Sequence, residues 1–159
     1  MANFTIGIGD LKTCKAPDVL VTYALGSCVG VCLLDSVTGV GGLSHVMLPD
    51  STNGVNSAAT PMKFADLAIP MLIKQMEDMG ASRSRMKAKI AGGATMFAAA
   101  NDKFNIGERN INAVKEILSK EHIPIIAEDV GLNYGRTQFF YPETGIMEIR
   151  AASKGIKQL

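Results

Sequence analysis

The stretch from Val19 to Pro49, VLVTYALGSCVGVCLLDSVTGVGGLSHVMLP, constrains this chain more than any other. It is a run of β-branched and apolar residues interrupted at Gly26-Ser27 and again from Asp35 to Gly39, where turn formers gather. That pattern predicts strand, sharp turn, strand, hairpin turn, strand: Val19 to Leu25, Cys28 to Leu34, and Val40 to Leu48, ended by Pro49. The same stretch holds two of the three cysteines, Cys28 and Cys32, and one of the two histidines, His45.

Register decides what those residues can do. If two regular antiparallel strands meet with Asp35 opposite Val40, then Gly30 falls opposite His45 and Cys28 opposite Met47. Alternate residues share a face, so Cys28 and His45 become diagonal neighbours, roughly 7–8 Å apart at the backbone. Gly30, between them, brings no side chain into the gap. A bulge in the turn would put the two on opposite faces.

A free thiol, with a pKa of about 8.5, is only slightly ionised near neutral pH, so a neighbouring imidazole that takes its proton makes it a nucleophile. Backbone N–H groups around Ser27 and Cys28, with the Ser27 hydroxyl beside them, are candidates to stabilise an oxyanion. Thr22 on the preceding strand is a polar candidate to orient the histidine. A purely structural reading fits the same residues. Free cysteine is among the most buried residue types, and threonine is commonplace in strands. A histidine on an apolar strand is often a hydrogen-bonded core residue. Pattern alone leaves both readings open.

Around this centre, Phe4 to Ile8 reads as an early strand, and Asp10 to Asp18 as a polar connection in which Cys14 has no evident partner. Asp50 to Thr60 is polar and reads as a loop. A helix is expected from Met62 to Met79, with Phe64, Leu67, Ala68, Met71, Leu72, Met76 and Met79 on one face. Pro70 should kink or break it, and Gly80 should stop it. Met86 to Ala91 reads as a strand entering Gly92-Gly93-Ala94, which lacks the spacing and lysine of a phosphate loop. A second helix is expected from Glu108 to Glu121, burying Ile111, Val114, Ile117 and Leu118. A strand from Ile125 to Ala127 follows, then a loop from Glu128 to Arg136. Gln138 to Tyr141 and Gly145 to Arg150 read as a hairpin, and Ala151 to Leu159 as a flexible, frayed tail. Consecutive strands at the start favour antiparallel pairing in a layered α+β domain spanning residues 1–159.

Composition excludes several classes. The 16 basic and 15 acidic side chains nearly cancel, which argues against nucleic-acid binding through phosphate neutralisation. No apolar run has the length of a membrane span, so no membrane insertion is expected. MANFTIGIGD lacks the charged start and long apolar core of a signal peptide. An odd cysteine count without framework spacing suits a reducing cytoplasm. Cys28 and Cys32 are four apart, which is neither a C-x-x-C redox pair nor a good zinc half-site, and with two histidines no structural zinc is expected.

At Thr22, Leu25-Gly26-Ser27-Cys28-Val29 and His45-Val46-Met47-Leu48-Pro49 the sequence resembles the CheD family, the chemoreceptor glutamine deamidases of bacterial and archaeal chemotaxis. Lys89 to Ala94 with Met96-Phe97, Ile106-Gly107 with Arg109-Asn110, Asp129, Gly131, Arg136 and Thr144-Gly145 continue the resemblance in order. Leu132 stands where many members carry a second glycine, and Pro70 interrupts a helix that is usually continuous. The resemblance implies a cysteine-dependent protein-glutamine glutaminase with Cys28 as nucleophile, His45 as acid and base, and Thr22 orienting the imidazole. It implies no metal and no organic cofactor. The fold it implies is a layered α+β sandwich of mixed or antiparallel sheets with helices outside, similar to the cytotoxic necrotizing factor catalytic domain. Chemoreceptor cytoplasmic domains would be the substrates, and a CheC-type phosphatase a possible partner. The alternatives are a chain that acts mainly as a binding partner of such a phosphatase, or a Cys–His protease or redox thiol protein, which fits the hairpin but not the other motifs.

Overall fold

The computed structural model describes residues 1–52, 58–95 and 105–159. Within them the chain forms β1 (Asn3–Thr5), β2 (Leu11–Lys15), β3 (Val19–Leu25), β4 (Val29–Asp35) and β5 (Val40–Val46). Then follow α1 (Ala65–Asp78), β6 (Met86–Gly92), α2 (Ile106–Lys120), β7 (Ile125–Val130), β8 (Arg136–Tyr141), β9 (Ile146–Ala151) and β10 (Gly155–Gln158). The strands make two five-stranded sheets, ordered β1-β3-β8-β9-β10 and β2-β5-β4-β6-β7. Both are mixed, because β1 runs parallel to β3 and β6 parallel to β7 while the other pairs are antiparallel. The expected layered α+β sandwich is the observed architecture.

Alternation along β4 shows how the layers are built. Val29, Val31 and Leu33 join a buried cluster with Ala68, Leu72 and Met76 of α1 and with Val114 and Leu118 of α2. The intervening Cys32 instead joins Leu20, Leu43, Phe140, Met147 and Ile149, contributed by both sheets. The second sheet is thus covered by the first sheet on one face and by both helices on the other, so its central strands are buried on both faces.

Several local expectations change. The polar connection from Asp10 to Asp18 contains β2, an edge strand on β5 whose Leu11 and Cys14 are buried. Its lysines and threonine mask the strand signal because an edge strand keeps one flank in solvent. Glu128 to Val130 continue β7 rather than opening a loop, since parallel pairing to Ile90, Ala91 and Gly92 holds them. The tail expected to fray forms β10, paired with β9 from Gly155↔Ala151 to Gln158↔Glu148.

Helix α1 begins after a short 3₁₀ turn at Pro61–Lys63 and runs unbroken through Pro70. Its buried stripe is Ala65, Ala68, Ile69, Leu72, Ile73 and Met76; Leu67 and Met71 are only half-buried and Met79 is exposed. The helix ends as expected at Gly80, where the Gly80 and Ala81 amides donate to the Glu77 and Met76 carbonyls in a Schellman arrangement. In α2, Ile117 is partly rather than fully buried.

Leu132 has φ 61, the left-handed region that glycine occupies without strain, and its side chain is exposed. Leu132→Gly is therefore expected to raise the unfolding free energy by about 1 kcal/mol, read from urea titrations. No helix among the described residues is long and apolar enough to cross a membrane.

Candidate active site

The register that the central hairpin requires is present. β4 and β5 pair without interruption from Val29↔Val46 to Asp35↔Val40, with Gly30 opposite His45. Cys28 lies one residue beyond the ladder and packs against the inter-sheet cluster. His45 is fully buried on that same face, because its ring meets Thr22 of the facing sheet. Thr22 is thus not a neighbour within one hairpin. β3 and β4 belong to different sheets, and the chain crosses between them from Leu25 to Val29. Immediately after Thr22, β3 carries one extra residue relative to β8, with Ala24 at φ 59. Such bulges re-aim a strand where it leaves its ladder.

The hydrogen bonds at Thr22 fix the state of His45. The Thr22 hydroxyl has one proton, and it donates that proton to the Ile6 carbonyl at 2.7 Å. Towards Nδ1 of His45, 2.6 Å away, the hydroxyl oxygen can then only accept. Nδ1 carries the proton, and Nε2 keeps its lone pair. Among the described residues Nε2 has no hydrogen-bond partner, although it is buried. A buried acceptor left unpaired is unusual enough to mark a place where another group belongs. Cys28 is a free, half-buried thiol in the diagonal position on that face.

Burial sets both resting protonation states. It lowers the His45 pKa from 6.5 to about 4 and raises that of Cys28. The site therefore rests as neutral thiol and neutral imidazole. Cys14 and Cys32 are different: burial pushes Cys14 up to about 12 and Cys32 well above the usual thiol range. Both are buried in the inter-sheet cluster. The unfolded chain takes up a proton on His45 near pH 6.5, whereas the folded chain resists it down to about 4. Stability contributed by the neutral ring is thus present above pH 6.5 and is lost as pH falls towards 4, by at most about 3 kcal/mol. Urea titrations at several pH values should show this slope in the wild type and its removal in His45→Gln.

Gly30 is required by a neighbour as well as by the gap. Any Cβ there would collide with Oε1 of Gln138, whose Nε2 donates to the Gly30 carbonyl at 3.1 Å. Gln138 pairs with Thr22 on the facing sheet, so it closes the inner side of the site.

Around Ser27 and Cys28, neither backbone amide donates a hydrogen bond among the described residues, and the Ser27 hydroxyl makes none. The carbonyls of the same turn are all held. Gly93 N–H donates to the Cys28 carbonyl and Ala94 N–H to that of Gly26, both at 2.8 Å, while Nδ2 of Asn110 donates to that of Ser27. The turn thus holds its oxygens and leaves its N–H groups available, which suits an oxyanion site.

Three contributors carried no role in the sequence reading. Gly92-Gly93, which lacks phosphate-loop spacing and otherwise enters only through the family resemblance, is the surface against which the Cys28 turn lies. Two glycines at the end of a strand do signal a close backbone approach. Arg136 and Asp129 form a buried pair, Nε to Oδ1 at 2.9 Å, and Arg136 also reaches the carbonyls of Gly92 and Gly131. Asn110 is fully buried within α2. Met96 and Phe97 lie outside the described residues.

Comparisons with known proteins agree on one family. Residues 47–151 match the CheD family, described as CheD chemotactic sensory transduction. A probable chemoreceptor glutamine deamidase CheD of Clostridium novyi (strain NT) is 51% identical over 156 residues, 97% of this chain and 96% of that protein. Proteins of the same name from Clostridium kluyveri and Clostridium botulinum (strain Hall) are 49% and 48% identical over the same shares. Among solved structures, the hypothetical protein YfiH of Bacillus licheniformis matches with a TM-score of 0.43 at 18% identity, over 72% of this chain and 47% of that one. That neighbour is a YfiH protein and not a necrotizing factor domain. Half the residues are shared with relatives along nearly the whole length, and the chain belongs to the CheD family.

Proposed function

We propose that this chain is a protein-glutamine deamidase, a single cytoplasmic domain that converts chemoreceptor glutamines to glutamates. The observation that carries this reading is the buried Nε2 of His45, without a partner among the described residues, on a ring held in one tautomer by Thr22 on the same face as the free Cys28 thiol.

The chemistry follows from that pair. As the substrate amide enters, Nε2 takes the thiol proton and Sγ attacks the side-chain carbonyl carbon, forming a C–S bond. The carbonyl oxygen gathers negative charge opposite the Ser27 and Cys28 amides, with the Ser27 hydroxyl beside them. The imidazolium returns its proton to the departing nitrogen, the C–N bond breaks, and ammonia leaves a thioester. His45 then takes a proton from water, which attacks the thioester; the C–S bond breaks and the proton returns to sulfur, releasing glutamate. Nδ1–H stays donated to Thr22 throughout, so the ring keeps its orientation. Long apo contacts between such groups shorten in the substrate complex.

Peptide mapping by mass spectrometry of a chemoreceptor cytoplasmic fragment incubated with this protein tests the proposal. Conversion of particular glutamines to glutamates is the expected outcome. No conversion across several receptors from the same source would overturn it in favour of a chain that mainly binds a CheC-type phosphatase.

A further inference from the structure

We propose that Asn110 is a positioning residue that fixes the separation of Cys28 and His45. The β4–β5 ladder ends at Val29↔Val46, so Cys28 with the peptide before it, and Met47, lie beyond the last rung. Asn110 spans that gap from the helical side. Its Nδ2 donates one hydrogen to the Ser27 carbonyl and the other to the Met47 carbonyl, both at 2.9 Å. Ser27 immediately precedes the nucleophile, and Met47 follows His45 by two residues. Each segment has separate anchors, Gly93 N–H on the Cys28 carbonyl and the Lys63 carbonyl on Met47 N–H. Among the described residues Asn110 is the side chain that hydrogen-bonds both segments.

The amide orientation is forced, because two carbonyl acceptors can be satisfied only by the NH₂ group. Its consequence is visible: Oδ1 points elsewhere and is buried with no partner among the described residues. Asparagine is also a poor residue for a helix interior. Helix α2 is brought close enough for this contact at Gly107, one turn earlier, where a Cβ would strike the carbonyls of Gly93 and Ala94. Helix propensity and full polar satisfaction are both given up at position 110, and what is gained is one donor group shared by the two halves of the site.

This inference rests on the deamidase reading for its role in turnover, so the test uses two readouts on the full chain. The first is kcat and KM for receptor-fragment deamidation. The second is the rate of Cys28 alkylation by iodoacetamide, measured with and without His45→Ala. Asn110→Ala is expected to lower kcat about 100-fold with little change in KM. It should also abolish the dependence of Cys28 alkylation on His45, a coupling that lost fold stability alone would not remove. Asn110→Asp, isosteric but lacking the donors, should behave alike and carries the test if Asn110→Ala does not melt cooperatively. Folded variants that keep wild-type kcat and the wild-type His45 dependence would overturn the clamp, even if their melting temperature fell. A wild type that shows the coupling but leaves receptor glutamines unchanged would overturn the deamidase reading and leave the clamp standing.

Discussion

Thr22→Val is expected to lower deamidation about 100-fold, within the range that a correctly placed general base contributes. Valine fills nearly the same space but offers no oxygen. The Ile6 carbonyl loses its donor and Nδ1–H loses its acceptor, both inside the protein. Nothing then holds the proton on Nδ1, and the ring is free to carry it on Nε2, the nitrogen that accepts from Cys28 in the proposed mechanism. The accompanying loss of stability should be about 2 kcal/mol, since two buried polar groups are left unpaired. Thr22→Ser restores the hydroxyl and should recover most of the turnover. Steady-state kinetics separates the variants, and ¹⁵N NMR of the His45 ring reports the tautomer directly. A Thr22→Val protein with wild-type kcat would show that Thr22 only fills space.

Gly92→Ala should be the most destabilising substitution near the site, by about 4 kcal/mol, and should leave no measurable activity. Two costs combine. At φ 105 an alanine is strained whatever space surrounds it, by about 1–3 kcal/mol. Its Cβ would also collide with the backbone carbonyl of Cys28, an overpacking of similar size. The collision cannot relax cheaply, because the Gly92 carbonyl accepts from Arg136 Nη1 and from Gly131 N–H. Gly131→Ala is the control: its φ of 78 also lies in the region that favours glycine, but among the described residues nothing lies within 4 Å of the added carbon. It should cost about 1 kcal/mol and spare activity. Equal losses in the two variants would mean that strain alone, and not contact with the Cys28 turn, explains Gly92.

How far the sequence reached follows from the range of the interactions involved. β3, β4 and β5 were legible almost to the residue, because β-branched runs bounded by turn formers are local signals. The Cys28–His45 register followed from one assumption about one turn. What could not be read locally was the partition of the strands. β3 and β4 are consecutive and separated by a short turn, yet they lie in opposite sheets, and only that crossing brings Thr22 over His45. Two of the four edge strands escape the sequence for a related reason. β2 and β10 have little apolar alternation of their own and are strands because β5 and β9 pair with them. The buried stripe of α1 keeps the expected Ala68, Leu72 and Met76 but takes Ala65, Ile69 and Ile73 in place of Leu67, Met71 and Met79. The helix starts later because Pro61–Lys63 forms a separate 3₁₀ turn. Asn110 and Gly92 act through backbone carbonyls distant in sequence, a relation that no spacing rule encodes.

In the proposed deamidation, Cys28 performs covalent chemistry on a receptor glutamine with His45 as its base. The most direct test is acid-quenched mass spectrometry of the wild type and of Cys28→Ala mixed with a chemoreceptor cytoplasmic fragment. The expected result is a transient adduct on Cys28 equal to the sum of the two proteins less one ammonia, followed by glutamate in the fragment, with neither formed by Cys28→Ala. Glutamine-to-glutamate conversion that persists in Cys28→Ala would contradict it.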